Sequence, residues 1–155
     1  MRRNKAIKRQ VESDIKFGTV AIARFINYLM EDGKKTTAQK IMYSALDEIA
    51  KKTQKDSLEV FEKAIENASP ALEVVSKRVG GANYQVPREV RPERKFFLAC
   101  NWIIEGASGV KGKSMAKKLA DEIIAAYNND GSAIRKKQNV HKMAEANRAF
   151  AHFAR

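Results

Sequence analysis

The chain of 155 residues has few of the side chains on which metal binding and catalysis depend. It contains one cysteine, Cys100, and two histidines, His141 and His152. A single cysteine excludes an internal disulfide and any site built from several thiolates. Cys100 falls on the apolar stripe of a predicted helix, so we expect it to be a small core residue. We therefore expect neither a metal nor a cofactor.

Long hydrophobic runs are also missing. The most apolar window, residues 96–104, is interrupted by Asn101, whereas a membrane-spanning helix needs about 20 apolar residues. The N-terminal segment carries charge but no apolar stretch of the kind that a secretory signal requires. We therefore expect no membrane contact and a cytoplasmic location.

No arrangement of residues indicates an enzyme. The carboxylate pair Asp56 and Glu59 is explained as a helix cap, and Asp121 and Glu122 as a surface pair, with no sign of a pocket that would raise a pKa. One helical face is predicted to collect His141, Glu145, Arg148, His152 and Arg155. An arginine stands between the two histidines on this face, so we interpret it as a basic surface rather than a metal site.

Positive charge is what the chain has in excess. It has 30 Lys and Arg against 18 Asp and Glu, a formal net charge of +12. A surplus of this size costs self-repulsion and indicates a polyanionic partner. Residues 1–16 carry six basic and two acidic side chains, and residues 135–155 carry six basic side chains against Glu145 alone. With further runs at 77–95 and 111–118, this distribution favours one composite binding surface.

Hydrophobic periodicity predicts a mainly α fold. The length fits a single domain covering residues 1–155. Residues 1–18 lack a clear period and are predicted to form a flexible basic arm. Apolar residues at helical spacing, with capping and stop signals, predict about six helices, near residues 22–30, 38–49, 56–69, 92–106, 114–127 and 132–150.

Between the third and fourth helices the period changes to two. Residues 74–90 are predicted to form an extended β-hairpin arm that turns at Gly80-Gly81. One predicted face collects Val75, Lys77, Val79, Tyr84 and Val86, and the other Ser76, Arg78, Asn83, Gln85 and Pro87. Because a lone hairpin is marginal in water, the arm must rest on the domain or on a partner.

The arm carries side chains suited to unpaired nucleic-acid bases. Tyr84 can stack on a base, and Asn83 or Gln85 beside it can form hydrogen bonds with one. The alternative is that Tyr84 packs across the strand onto Val79 or Lys77. The sequence leaves both interpretations open.

Four sequence blocks resemble one ribosomal family, that of the bacterial ribosomal protein seven of the small subunit. The longest block is KRVGGANYQVPREVRP at residues 77–92. The others are FIN at 25–27 with MxDGKK at 30–35, ENxxP at 66–70 and HKMAEANRAFAH at 141–152. Their order and spacing agree with the family over residues 2–153.

The resemblance implies a helical fold with an extended hairpin and a structural role without turnover. It implies that the protein binds the 3′ major domain of small-subunit ribosomal RNA directly, and that this binding nucleates assembly of the subunit head. It further implies that the hairpin lies near the exit-site tRNA and the mRNA exit path. The implied protein neighbours are small-subunit ribosomal proteins nine, eleven, thirteen and nineteen.

The resemblance also implies which residues contact RNA. For ribosomal RNA they are Arg2, Arg3, Lys5, Lys8, Arg9, Lys34, Lys35, Lys77, Arg78, Arg91, Arg94, Lys111, Lys113, Arg135, Lys136, Lys137, His141 and Lys142. For tRNA and mRNA they are the residues at the hairpin tip, Gly80, Gly81, Ala82, Asn83 and Tyr84.

Physical reasoning alone leaves two other classes of protein in view. An architectural DNA-binding protein would place the β-arm in a groove and use Pro87 as a wedge. The position of Pro87 well down the strand, away from the tip, argues against that function. An enzyme acting on RNA would need a clustered acid, base or metal set, and the sequence offers none.

Overall fold

The computed structural model describes residues 10–154, and these form two compact units, one ending at Gln39 and one beginning at Lys40. The elements are α1 (Val20–Leu29), α2 (Lys35–Thr53), α3 (Ser57–Ala68), β1 (Leu72–Val79), β2 (Ala82–Glu89), α4 (Pro92–Gly109), α5 (Met115–Tyr127), α6 (Ser132–Ala146) and a C-terminal 3-10 helix (Arg148–Ala154). The predicted fold class, mainly α with one β-hairpin, is confirmed.

In the first unit, a turn at residues 14–18 precedes α1. Asp14 is buried, and its Oδ2 accepts hydrogen bonds from the backbone N–H groups of Lys16 at 3.0 Å and Phe17 at 3.1 Å. Such side-chain bonds fix a turn by replacing the backbone pairing of regular structure. The buried residues of α1 recur at the predicted helical spacing and are Ile22, Ala23, Phe25, Ile26 and Leu29.

In the second unit, α3 begins at a side-chain cap. Asp56 Oδ1 accepts a hydrogen bond from the N–H of Leu58 at 3.0 Å, which satisfies one of the unpaired donors at the helix start. Glu59 lies in the first turn, where the helix dipole favours a negative charge. The predicted cap at Asp56 is therefore confirmed.

Helix α4 continues to Gly109, three residues beyond the predicted end at Gly106. Gly106 therefore lies inside the helix, and a glycine is needed there because other elements approach its backbone closely. A Cβ at Gly106 would lie 2.9 Å from both Glu122 Oε1 and Ser132 Oγ. The glycine therefore marks a close contact with α5 and the start of α6, and not a helix terminus.

The core of the second unit lies between α3, α4 and α5, which pack against one another. On α4, Cys100 is fully buried, as predicted, and Trp102 is buried beside it. Many of the other buried positions are alanines, among them Ala64, Ala99, Ala120 and Ala126. Small side chains let helix backbones approach closely, and the larger Phe61 and Ile123 fill the remaining space.

The hairpin runs from Leu72 to Glu89, so it begins two residues before and ends one residue before the predicted 74–90. In the antiparallel register, Val79 pairs with Ala82, Lys77 with Tyr84 and Val75 with Val86. Directly opposed residues point to the same face of a sheet. The two predicted faces of the arm are therefore confirmed.

Helix α6 ends at Ala146 rather than near residue 150. At the cap, the side-chain amide of Asn147 donates to the carbonyl of Met143 at 2.8 Å, and its backbone N–H donates to the same carbonyl at 3.1 Å. Asparagine offers the backbone this alternative to a continued helix. The chain then becomes a 3-10 helix with three residues per turn.

Near the end of α6, Ala144 is buried, whereas Met143 is 50% exposed and Ala146 is exposed. The change of helix type corrects one prediction: the predicted face running from His141 to Arg155 is wrong. It assumed one continuous α-helix, and α6 stops before His152.

Candidate nucleic-acid interface

The tip of the arm is open. Gly80 and Gly81 have φ values of +58° and +91°, and two consecutive positive φ angles are what a type I′ hairpin turn requires. A Cβ at either glycine would meet no atom within 4 Å. Ala82 and Asn83, the next residues predicted to face tRNA and mRNA, are exposed as well.

Tyr84 differs from the rest of the predicted tip because its ring is packed. The ring centroid lies 5.2 Å from that of Phe150 and 5.3 Å from that of Phe153, in tilted arrangements. Lys77, the cross-strand partner of Tyr84, donates from Nζ to the carbonyl of Phe153 at 2.6 Å. The packing alternative is therefore the one observed: Tyr84 stands opposite Lys77, as one of the two predicted partners, and packs in addition on the C-terminal 3-10 helix.

The opposite face of the arm is polar. Ser76, Arg78, Asn83 and Gln85 are all exposed there, and they pair across the strands as Ser76 with Gln85 and Arg78 with Asn83. Arg78 forms no ion pair with any residue that the structure describes. Pro87 lies on the same face but is buried near the base, so it is not placed to act as a wedge.

A groove of about 830 Å³ lies at the base of the arm. Its charged lining residues are Arg88, Arg91, Arg94, Arg148, Glu73, Glu89 and Glu145, and its apolar ones are Leu72, Pro87, Ala144 and Ala151. We call this feature the arm-base groove. Of its four arginines, the sequence analysis predicted Arg91 and Arg94 as RNA contacts and missed the other two. Arg88 stands opposite Glu73 in the hairpin register, and this pairing was a signal that could have identified it.

Glu73 holds two of the four arginines. Its Oε1 accepts from Arg88 Nε at 2.9 Å and Nη2 at 2.7 Å, and its Oε2 accepts from Arg94 Nε at 3.3 Å. Burial alone would raise the pKa of this carboxyl group, but the hydrogen bonds and charges of the two arginines outweigh it. The pKa of Glu73 therefore lies below its ordinary value of 4.5.

The loop between α4 and α5 carries two predicted contacts in different states. Lys111 is exposed and forms no ion pair with any described residue. Lys113 donates from Nζ to Asp121 Oδ2 at 2.8 Å, and Lys52 donates to Oδ1 of the same carboxylate. These two hydrogen bonds lower the pKa of Asp121. Asp121 thus ties α2, α5 and this loop together, and Lys113 has a structural role in that contact.

The basic residues at 135–137, near the start of α6, also differ from one another in their contacts. Arg135 is highly exposed and its Nη2 lies 3.7 Å from Asp130 Oδ1, while Lys136 donates to Glu105 Oε1 at 3.0 Å. Lys137 is partly buried and donates from Nζ to the carbonyl of Asn67 at 2.6 Å, in the last turn of α3. Burial lowers the pKa of Lys137.

His141 is engaged inside the fold. Its Nε2 accepts a hydrogen bond from the backbone N–H of Ala71 at 3.1 Å, just before β1. Burial, and then the charge of Lys137, lower the pKa of His141 below its ordinary value of 6.5. Its neighbour Lys142 is exposed and forms no ion pair with any described residue. Of this predicted pair, Lys142 is the one that faces solvent.

The predicted contacts of the first unit are only partly described. Arg2, Arg3, Lys5, Lys8 and Arg9 lie outside the described residues. Lys34 and Lys35 are exposed and follow a tight turn in which two residues, Asp32 and Gly33, have positive φ values of +51° and +73°. Lys34 Nζ lies 3.5 Å from Asp32 Oδ2 on the surface, and such an exposed pair contributes little to stability.

Within residues 10–154, no group of three or more His, Cys, Asp or Glu is arranged to hold a metal ion. No helix in that part of the chain is both long and apolar enough to cross a membrane. What the described surface offers is a set of lysine and arginine side chains on the arm, on the α4–α5 loop and on α6. Such a set is suited to neutralising phosphates at fixed positions.

Comparison with known proteins agrees with this chemistry. The family model described as Ribosomal protein S7p/S5e matches residues 1–148. The protein named Small ribosomal subunit protein uS7 of Thermotoga maritima is 60% identical over 153 residues, which is 99% of each chain. The protein of the same name from Marinobacter nauticus is 51% identical over 152 residues, or 98% of this chain and 97% of that one.

These matches define the class first: the chain is a ribosomal protein, structural and not enzymatic. It belongs to the ribosomal protein S7p/S5e family. The resemblance found in the sequence is thereby confirmed, and so is the prediction that the protein is not an enzyme.

Proposed function

We propose that the protein is a structural constituent of the small ribosomal subunit that binds the 3′ major domain of 16S-type ribosomal RNA directly and nucleates assembly of the head. One observation carries this proposal beyond the family membership. Arg78, Arg91, Lys111 and Lys142 are exposed and form no ion pair with any described residue, whereas other basic side chains nearby are paired. Cations without an ion-pair partner lose no such pair when they bind a phosphate.

The finer parts of the proposal rest on the family. The exposed residues at the arm tip are proposed to lie near the exit-site tRNA and the mRNA exit path, in cytoplasmic ribosomes. Small-subunit ribosomal proteins nine, eleven, thirteen and nineteen are proposed as neighbours. An architectural DNA-binding function gains no support, because Pro87 is buried.

A salt-titrated competition assay tests the proposal. The purified protein is offered the 3′ major domain RNA, a scrambled RNA of equal length and duplex DNA. We expect a preference for the ribosomal domain that persists at about 0.2 M salt, where purely electrostatic binding has fallen steeply. Equal binding to all three, lost together as salt rises, would contradict it.

Two triple variants with the same change in charge locate the contacts. In the first, Arg78→Gln, Arg91→Gln and Lys142→Gln remove unpaired cations. In the second, Lys51→Gln, Lys52→Gln and Lys63→Gln remove lysines that pair with Glu48, Asp121 and Glu66. We expect the first triple variant to reduce the slope of the logarithm of the binding constant against the logarithm of salt concentration by about 0.7–0.9 per lost phosphate contact. The second triple variant should reduce this slope less. Equal effects would show that net charge alone decides binding.

A further inference from the structure

The arm-base groove is lined by three carboxylates as well as four arginines, and the buried one, Glu73, is a charge that an RNA-binding surface does not need. Glu73 lies at the base of β1, 8% exposed, between Arg88 and Arg94. Its negative charge offsets part of the positive charge of the groove. If net charge were the only requirement for binding a polyanion, a neutral residue here would serve better.

The geometry around Glu73 fixes two guanidinium groups. Arg88 lies directly opposite in the hairpin register and donates both Nε and Nη2 to one carboxylate oxygen, while Arg94 donates Nε to the other. The guanidinium of Arg94 also lies 5.1 Å from the ring centroid of Phe97, a cation–π distance. Each arginine therefore has one edge held and keeps further donors for a ligand.

We propose that Glu73 is a positioning residue for RNA binding, which holds Arg88 and Arg94 so that the arm-base groove receives a phosphodiester backbone, with Arg91 and Arg148 beside them. This inference rests on the proposed function and adds to it. It adds Arg88 and Arg148 to the phosphate contacts, and it makes the buried carboxylate of Glu73 necessary for binding RNA.

The chemistry of the groove favours phosphate as the occupant. Guanidinium groups come from β2, from the segment around the start of α4 and from the C-terminal 3-10 helix. Their planar fork matches the oxygens of a phosphate, and a group whose orientation is already fixed loses less freedom on binding. At neutral pH Glu73 is ionised, as the low pKa of its carboxyl group requires, so the clamp is present before RNA arrives.

The test uses the sign of the effect. Glu73→Gln raises the net charge of the protein by one, so simple electrostatics predicts tighter binding to the 3′ major domain RNA. The positioning role predicts weaker binding, by about 2- to 10-fold for each arginine whose orientation is released. Glu89→Gln makes the same charge change at an exposed carboxylate of the same groove, whereas Arg88 and Arg94 are held by Glu73. We expect Glu89→Gln to tighten binding, as the change in charge alone predicts.

A second variant guards against loss of the fold. Arg88→Lys keeps the charge and loses the bidentate fork, and it should weaken binding in the same way with the thermal unfolding midpoint close to that of the wild type. If Glu73→Gln and Glu89→Gln tighten binding equally, Glu73 is only a surface charge and the proposal is wrong.

Failure of this inference is distinguishable from failure of the proposed function. Loss of preference for the ribosomal domain in the wild-type protein would contradict the proposed function itself. Polyglutamate serves as the probe for an acidic polypeptide. If it displaces the RNA at lower concentration than competitor RNA does, and Arg88→Lys abolishes that displacement, then the groove is a protein-binding site and the assignment to RNA is overturned.

Discussion

The helical core and the β-arm of the second unit are stabilised in different ways. The core between α3, α4 and α5 is held by buried apolar side chains, with Phe61 and Ile123 among them. The arm is held along one face by separate long-range contacts: the rings around Tyr84, the bond from Lys77 to the Phe153 carbonyl, and the clamp at Glu73. Loss of one contact should therefore loosen the arm while the core stays folded.

The largest expected effect is in the core. Phe61→Ala removes a ring that is 1% exposed, and we expect a loss of about 3–5 kcal/mol in the free energy of unfolding because a cavity remains. Unfolding in urea, monitored by circular dichroism, measures this loss. Glu62→Ala, on the exposed side of α3, is the control, and its free energy of unfolding should stay within about 0.5 kcal/mol of that of the wild type. A loss below 1 kcal/mol would mean that the core repacks easily.

A smaller effect is expected at the arm. Phe153→Ala removes one of the two rings that pack on Tyr84. We expect the free energy of opening the arm to fall by about 1 kcal/mol, since aromatic pairs contribute about 0.5–1.5 kcal/mol beyond burial. The change should be local: amide hydrogen exchange should accelerate in β1 and β2 but not in α3 or α5. Met143→Ala on the exposed side of α6 should leave the strands unchanged. Equal acceleration in core and arm would show that the two regions unfold together.

The smallest effect is expected from the bond at His141. The pKa of this histidine is lower in the folded protein than its ordinary value of 6.5. Below pH 6.5 the unfolded chain therefore binds more protons, and this contribution to stability, fully present above that pH, is lost as the pH falls towards the folded pKa. Denaturant midpoints measured from pH 8 to pH 5 should fall less in His141→Gln than in wild type. Lys142→Gln should keep the wild-type profile, and an identical fall in His141→Gln would refute the linkage.

The contrast between core and arm also explains what the sequence could predict. Helix positions follow from local periodicity and caps, as at Asp56, and the faces of the hairpin follow from alternation about Gly80-Gly81. Contacts between residues far apart in the chain do not: the packing of Phe150 and Phe153 on Tyr84 required the end of α6 to be known. Asn147 is the C-cap of that helix, with a side-chain bond to the Met143 carbonyl, whereas the composition of the segment alone suggested continuation.

For the candidate interface as well, the sequence predicted one part and not another. Sequence similarity selected basic residues by type and position, and many of them are exposed. It did not separate Lys137 and Lys113, which bond within the fold, from Arg78 and Lys111, which form no ion pair with any described residue. That separation depends on the partner that the fold brings near each side chain, and so does the role of Glu73.

The burial of Cys100 has a practical consequence for following the arm. This thiol is the only one in the chain and is fully enclosed, so reagents that modify accessible thiols should leave it unmodified. A cysteine introduced at exposed Ser76 and another at exposed Ala149, which is outside the lining of the arm-base groove, would then be the only sites labelled. A donor and acceptor dye at these positions would report the distance between the arm and the C-terminal 3-10 helix as RNA is added, without any change to the core.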